Sequence, residues 1–219
     1  DYAGYLVYFG TGKYIEVNDK TTNYGGMQTV YGVWDRYSID NTETSKDPNG
    51  LHPFNRSKLL QQKIIAQVND RYVISDNQMI WHNDFDSNDR PKSNPTGTPP
   101  TTHLGWFLDL NQTIGERVVV DVEVRGDKLI VNTMIPTSSD DPCIASGNSN
   151  TLIISAKTGS RLSYSVFDVN EDQKFDTGDF VVVTIDGVPT LVPVSSSHST
   201  GFLSRPTILD NLLPPGGPG

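Results

Sequence analysis

An acidic loop in the last third of the chain has the composition and spacing of a cation site. Oxygen-bearing side chains stand at positions 1, 3, 5, 9 and 12 of the segment 168–179, and they are Asp168, Asn170, Asp172, Asp176 and Asp179. An EF-hand-type loop places its ligands at these positions, and its position 7, here Lys174, contributes a backbone carbonyl. Such a flexible set of oxygen ligands suits Ca²⁺ better than Mg²⁺. The sequence therefore predicts one Ca²⁺ site formed by these six residues.

Two residues of this loop depart from the EF-hand pattern. Gln173 stands where the sharp turn normally has Gly, and Asp179 replaces the bidentate Glu at the last position. The shorter closing acid resembles the dockerin-type variant, in which no second helix is implied. Phe175, at position 8, is expected to anchor the loop to the core. The four carboxylates repel one another at short range, so a bound cation is expected to stabilise the loop.

A second acidic stretch begins in the same way but does not continue the pattern. Residues 83–89 contain three Asp, yet Pro91, Lys92 and Pro95 then occupy positions 8, 9 and 12 counted from Asp84. Pro and Lys side chains offer no oxygen ligand, so the stretch is not expected to complete a metal site.

The tripeptide Arg125-Gly126-Asp127 lies between two β-branched runs, where a hairpin turn is predicted. Integrin receptors bind this tripeptide, and a turn would expose it. Gly and Asp are also ordinary turn residues, so turn formation alone explains them. Both interpretations stay open, with Arg125, Gly126 and Asp127 as a candidate binding site.

The positions of the strands follow from runs of β-branched and aromatic residues between turn signals. Nineteen Gly and fourteen Pro among 219 residues favour short strands with tight turns, which indicates an all-β fold. Antiparallel pairs are predicted around three turns, at residues 10–12, 125–127 and 186–187, and a further pair at 151–155 with 162–167. The segments 59–67 and 72–75 form another predicted pair, although 59–66 also fits a short helix.

Charge and hydropathy exclude two classes of partner. The chain has 26 Asp and Glu against 17 Lys and Arg, a formal net charge of −9, which repels a phosphate backbone and makes nucleic acid an improbable partner. No apolar run approaches the roughly 18 residues that span a bilayer, so no membrane span is predicted.

The single cysteine, Cys143, has no intrachain partner and is either a buried thiol or the partner of a cysteine outside this sequence.

Several short motifs along the chain together resemble the C-terminal domain of PilY-type proteins, the tip adhesins and assembly factors of bacterial type IV pili. These motifs occur in family order, and an Asp-rich loop follows them as it does in the family. They are Phe9-Gly10-Thr11-Gly12-Lys13-Tyr14, Tyr31-Gly32-Val33-Trp34-Asp35, Gly105-Trp106-Phe107-Leu108-Asp109-Leu110, Gly115-Glu116-Arg117-Val118, Asn132-Thr133-Met134-Ile135-Pro136, Asp141-Pro142-Cys143 and Gly159-Ser160-Arg161-Leu162.

The resemblance implies a fold, a location and partners. The family fold is a β-propeller of the quinoprotein-like kind, and at about 40 to 50 residues per blade this chain supplies roughly three to four blades. Residues 1–205 are then the C-terminal portion of a propeller in a larger protein, and residues 206–219 a Pro/Gly-rich tail. The family implies an exported protein at the pilus or cell surface that supports pilus extension, adhesion and twitching motility. Its implied partners are minor pilins or the pilus tip complex, and host or abiotic surfaces.

Two other functional classes compete with the pilus interpretation. An extracellular carbohydrate-binding module would use exposed Trp34, Trp81 or Trp106 to stack on sugars. A propeller enzyme, either a glycosidase or a quinone-dependent dehydrogenase, would need a catalytic constellation. The four His residues show no metal spacing, and no Gly-x-Ser-x-Gly elbow or phosphate loop is present. We therefore expect a protein that is not an enzyme.

Overall fold

The part of the chain that the structure describes folds into β-strands joined by turns, and its helical segments there are short 3-10 turns. The computed structural model describes residues 4–21, 26–35, 55–82, 97–137 and 147–207. Within these ranges no α-helix occurs, which confirms the all-β class, and no helical turn has the length and apolar character to cross a membrane. The strands are β1 (Tyr5–Gly10), β2 (Gln28–Asp35), β3 (Leu60–Gln62), β4 (Ile64–Val68), β5 (Arg71–Ile74), β6 (Gly105–Leu110), β7 (Glu123–Arg125), β8 (Lys128–Asn132), β9 (Ile135–Pro136), β10 (Gly147–Ser155), β11 (Phe180–Ile185), β12 (Val188–Pro193) and β13 (Ser196–Thr200).

Two larger sheets and two hairpins contain these strands. The first sheet has the order β1-β2-β6-β3, in which only the β3–β6 pairing is parallel. The second sheet has the order β13-β10-β8-β7, and β9 also pairs with β10. Strands β4 and β5 form one hairpin, and β11 and β12 form the other. In both hairpins the two turn residues have positive φ, as type I′ turns require, and for Asp186-Gly187 this confirms the predicted turn.

A main core lies between the first and second sheets, and Trp106 stands at its centre. The indole of Trp106 is fully buried and its Nε1–H donates to the carbonyl of Ala156 at 3.0 Å. Gly32 and Gly159 flank the ring so closely that an added Cβ on either would lie 2.4 Å from it. These glycines therefore allow the indole to join the two sheets.

A separate small core holds the hairpin β11–β12 against β5. It is built from four buried valines, Val73, Val183, Val192 and Val194, with Phe167 and Val169 among the residues packed against it. The backbone N–H of Ser195 donates to the carbonyl of Tyr72 at 2.7 Å, which connects the segment after β12 to β5.

Three predicted strands differ from the structure, two of them absent and one shortened, and hydrogen bonds of the residues concerned show why. The N–H groups of residues 15 and 16 donate to the Asp19 carboxylate, so residues 14–16 do not pair with β1, which pairs with β2 instead. The strand predicted before the 125–127 turn, over the β-branched run 118–124, is reduced to β7, and Val118 N–H donates instead to the carbonyl of Thr11. Residues 162–167 form no strand, and there the Ser165 hydroxyl donates to the carbonyl of Phe167.

The segment 59–67 forms strands, so the helical alternative for residues 59–66 is wrong. Leu60–Gln62 joins the first sheet as β3, and Ile64–Val68 pairs with β5.

The four sheets of the described residues contain four, five, two and two strands, and none of them closes on itself. Cys143, the acidic stretch 83–89 and residues 208–219 of the predicted tail lie outside the described residues.

Candidate metal loop

The first half of the acidic loop is shaped by side-chain oxygens that accept backbone N–H groups. Asp168 accepts from Asp172 at 3.2 Å and from Gln173 at 2.8 Å. Asn170 Oδ1 also accepts from Asp172, at 3.0 Å, and Asp172 Oδ1 accepts from Lys174 at 2.9 Å. The first three predicted ligand side chains thus lie on the inside of one tight turn. Each accepted bond uses a single lone pair, so further lone pairs remain for a cation.

The second half of the loop returns toward the first at Gly178. Asp176 caps the 3-10 turn Thr177–Asp179, and its Oδ1 accepts from Gly178 N–H at 2.7 Å. A Cβ built on Gly178 would lie 2.9 Å from Asn170 Nδ2 and 3.0 Å from Asp176 Oδ1. The structure therefore brings the side chains at loop positions 3 and 9 close to the same face of one glycine.

Asp179, the last acidic residue of the loop, is fully buried. Its carboxylate accepts backbone N–H groups from Val169 at 2.6 Å, Asp176 at 3.1 Å and Asn170 at 3.4 Å. Burial opposes ionisation of this carboxyl group, but the hydrogen bonds from these N–H groups outweigh it and lower its pKa. Asp179 therefore connects the end of the loop to its beginning through the backbone.

Other features of the loop differ from those of a preformed metal site. Within the described ranges, no three His, Cys, Asp or Glu side chains form a ready metal cluster. Phe175 is 63% exposed, so the prediction that it anchors the loop is wrong; Phe167 and Val169 make the contact with the small core instead. Gln173 has φ +66°, which explains why Gly is common at this position.

The Arg125-Gly126-Asp127 tripeptide forms the exposed turn between β7 and β8. The Asp127 carboxylate accepts a hydrogen bond from the Lys128 ammonium at 2.9 Å, and this bond lowers the pKa of Asp127. The same ammonium lies 5.3 Å from the centre of the Tyr164 ring. The carboxylate that a receptor would bind is therefore already paired with a neighbouring cation.

The three tryptophans occupy different environments. Trp106 is fully buried and offers no surface for a sugar, and Trp34, 7% exposed, is also a buried residue, so the expectation that these two are exposed is wrong. Trp34 and Trp81 pack edge to face with ring centres 5.8 Å apart, and both line a groove beside β1. Tyr5 and Tyr8 of β1 line the same groove and were not predicted as site residues. The sequence feature that could have indicated this groove is the close spacing of aromatic residues in β1, an edge strand.

Comparison with known proteins finds relatives in one family. The chain is similar to the type IV pilus biogenesis factor PilY1 of Pseudomonas aeruginosa, at 31% identity over 178 residues in strain PAO1 and 28% over 186 residues in strain UCBPP-PA14. These matches cover 76% and 80% of this chain but only 14% and 15% of the relatives' length. The PilY1 homolog of Xylella fastidiosa is 27% identical over 156 residues, which are 69% of this chain and 8% of that protein. No family model matches the chain.

Comparison of the fold with solved structures also finds a PilY1 protein. The crystal structure of the Pseudomonas aeruginosa PilY1 C-terminal domain matches with a TM-score of 0.62 and 25% sequence identity, over 91% of this chain and 36% of that one. Sequence and fold thus agree over most of the chain with the motifs noted above. We conclude that the chain corresponds to part of a PilY-type C-terminal domain.

Proposed function

We propose that this chain is a non-catalytic part of an exported protein that acts in type IV pilus biogenesis at the pilus or cell surface. The observation that carries the proposal is the joint similarity of sequence and fold to PilY1, whose name describes a biogenesis factor rather than an enzyme. The proposed partners are minor pilins or the pilus tip complex, with host or abiotic surfaces as targets of adhesion. In the same proposal, residues 1–205 form a portion of a β-propeller whose other blades lie in the longer protein.

Calcium binding by the acidic loop is the second element of the proposal. Asp168, Asn170, Asp172 and Asp176 would provide side-chain oxygens, and Lys174 its backbone carbonyl. The observation in support is the chain of accepted N–H bonds that already turns three of these side chains inward. Asp179 is the sixth residue of the proposed set, and it would also close the loop, because its carboxylate accepts backbone N–H groups while lone pairs remain for the cation. Bound calcium would neutralise the mutual repulsion of the carboxylates and stiffen the segment before β11.

Pilus association is tested with the full-length protein in its native, piliated bacterium. We expect an epitope-tagged protein to co-purify with sheared pili, and deletion of its gene to reduce surface pili and twitching motility. A control deletion of only the Pro/Gly tail tests whether that tail is needed. Normal piliation and motility after gene deletion, together with absence of the protein from pili, would reject the proposal.

Calcium binding is tested by calorimetry on three forms of the chain. We expect the parent to bind one Ca²⁺ and Asp172→Ala to bind at least about tenfold more weakly, because a carboxylate ligand is lost. Asp186→Asn is the matched control, since it removes one negative charge from a turn outside the loop and Asn tolerates the positive φ of that position. Equal Ca²⁺ affinity of Asp172→Ala and the parent would refute the ligand set.

A further inference from the structure

The groove beside β1 has walls of aromatic side chains and charged groups at its rim. Its volume is about 520 Å³, and Tyr5, Tyr8, Trp34 and Trp81 provide the aromatic walls. Asp127 and Lys157 also line it, and both are exposed residues of neighbouring turns. The groove thus combines flat apolar surfaces with Lys157 and with Asp127, whose carboxylate is paired with the neighbouring Lys128 ammonium and keeps further lone pairs for a ligand.

Contacts between its walls fix the shape of the groove. Trp34 and Trp81 hold each other edge to face, and Tyr8 packs against the buried Trp106 with ring centres 6.3 Å apart. The carbonyl of Asp127 accepts the N–H of Ala156 at 2.8 Å, so the two neighbouring turns that carry Asp127 and Lys157 are joined. The groove is therefore formed before any ligand binds, as small-molecule sites usually are.

We propose that this groove binds a short carbohydrate. Aromatic faces stack on the C–H faces of sugar rings, while a carboxylate accepts hydrogen bonds from sugar hydroxyls and an ammonium group donates to sugar oxygens. Tyr5, 64% exposed, offers the most accessible ring, and Trp81, half-buried, offers a second one. Asp127 and Lys157 then determine which hydroxyl pattern is accepted.

The size and charge of the groove favour a sugar over a protein segment. The groove volume of about 520 Å³ falls within the range of about 300 to 1,000 Å³ typical of small-molecule pockets. An apolar peptide would also desolvate Lys157 and the Asp127–Lys128 ion pair without offering them hydrogen bonds, which is costly. A sugar satisfies both groups and still covers the aromatic walls.

The test uses the folded chain, saturated with calcium, against a panel of saccharides. The panel contains glucose, galactose, N-acetylglucosamine, N-acetylneuraminic acid, lactose, cellobiose and chitobiose, and binding is followed by saturation-transfer NMR and tryptophan fluorescence. We expect at least one saccharide to bind and Tyr5→Ala to weaken that binding about tenfold. Lys157→Ala is expected to change the order of preference among the saccharides.

Phe175→Ala is the matched control, because Phe175 is exposed to the same degree as Tyr5, 63% against 64%, and does not line the groove. Trp81→Ala is a second variant of the aromatic wall. If it does not fold, Tyr5→Ala still tests the proposal, because Tyr5 is a surface residue. The proposal is overturned if no saccharide binds, if Tyr5→Ala binds like the parent, or if only short apolar peptides in a parallel panel bind. Asp172→Ala removes a proposed calcium ligand that does not line the groove, so this variant should still bind the saccharide. The calcium proposal and the saccharide proposal can therefore fail independently.

Discussion

The carboxylate of Asp179 accepts the backbone N–H of Val169 at 2.6 Å, so the last residue of the acidic loop is bonded directly to its second. The acidic residues of the loop therefore form two groups. Asp179 is buried and holds the loop closed, whereas Asp168 is half-buried and Asp172 and Asp176 are exposed. The two groups should respond differently to mutation.

Asp179→Asn should destabilise the fold even in the presence of a chelator, because an amide cannot accept all of these N–H groups and loses the charge that strengthens them. We expect the melting temperature to fall by several degrees at neutral pH. The pKa of Asp179 is lower in the folded chain than the usual value of about 3.9, so its contribution is present above pH ~4 and is lost as pH falls through the folded pKa. The difference between variant and parent should therefore shrink below pH ~4.

Thermal melts between pH 3 and pH 7 in chelator check this prediction, with Asp186→Asn as the charge-matched control. Equal stability of Asp179→Asn and the parent at pH 7 would show that the backbone bonds of Asp179 do not hold the loop.

Gln173→Gly should stabilise the chain by about 0.5 kcal/mol, because a non-Gly residue at φ +66° costs about 1 kcal/mol and the extra flexibility of Gly in the unfolded chain offsets part of the gain. The backbone of the calcium loop is also relieved of strain, so Ca²⁺ affinity should rise a few-fold. Urea unfolding and calorimetry measure the two effects. Glu171→Gly, at φ +63°, is the comparison, and a loss of stability in both variants would contradict the strain argument.

Gly159→Ala should be far more destabilising than Gly187→Ala, although both residues have positive φ. A Cβ at Gly159 would lie 2.4 Å from the Trp106 ring, whereas nothing lies within 4 Å of one at Gly187. We expect a loss of about 1 kcal/mol at Gly187 from backbone strain alone, and of at least ~2 kcal/mol at Gly159, where overpacking adds to the strain. Urea unfolding compares the two, and equal losses would show that the indole is free to move.

The sequence predicts most features that depend on neighbouring residues. The Asp186-Gly187 turn and the β7–β8 hairpin follow from turn chemistry that acts within a few residues. The inward turn of Asp168, Asn170 and Asp172 likewise depends on bonds between near neighbours.

Features that depend on distant contacts were missed. β1 pairs with β2, a more distant segment of the chain, rather than with the nearer residues 14–16, of which 15 and 16 donate their N–H groups locally to Asp19. The exposure of Phe175 follows from Phe167 and Val169 already occupying the small core. The groove joins β1 to turns more than a hundred residues away in sequence, so only the fold brings Tyr5 near Lys157.

The separation of the two cores gives the molecule two levels of cooperativity. Hairpin β11–β12 and the acidic loop before it rest on four buried valines, whereas the two large sheets share a broader core around Trp106. The hairpin should therefore open on its own at a lower free energy than global unfolding, and its amides should exchange with solvent sooner than those of β2 and β6. Calcium would then regulate this local opening far more than the survival of the whole fold. The loop would control how long one hairpin stays docked while the rest of the domain remains intact.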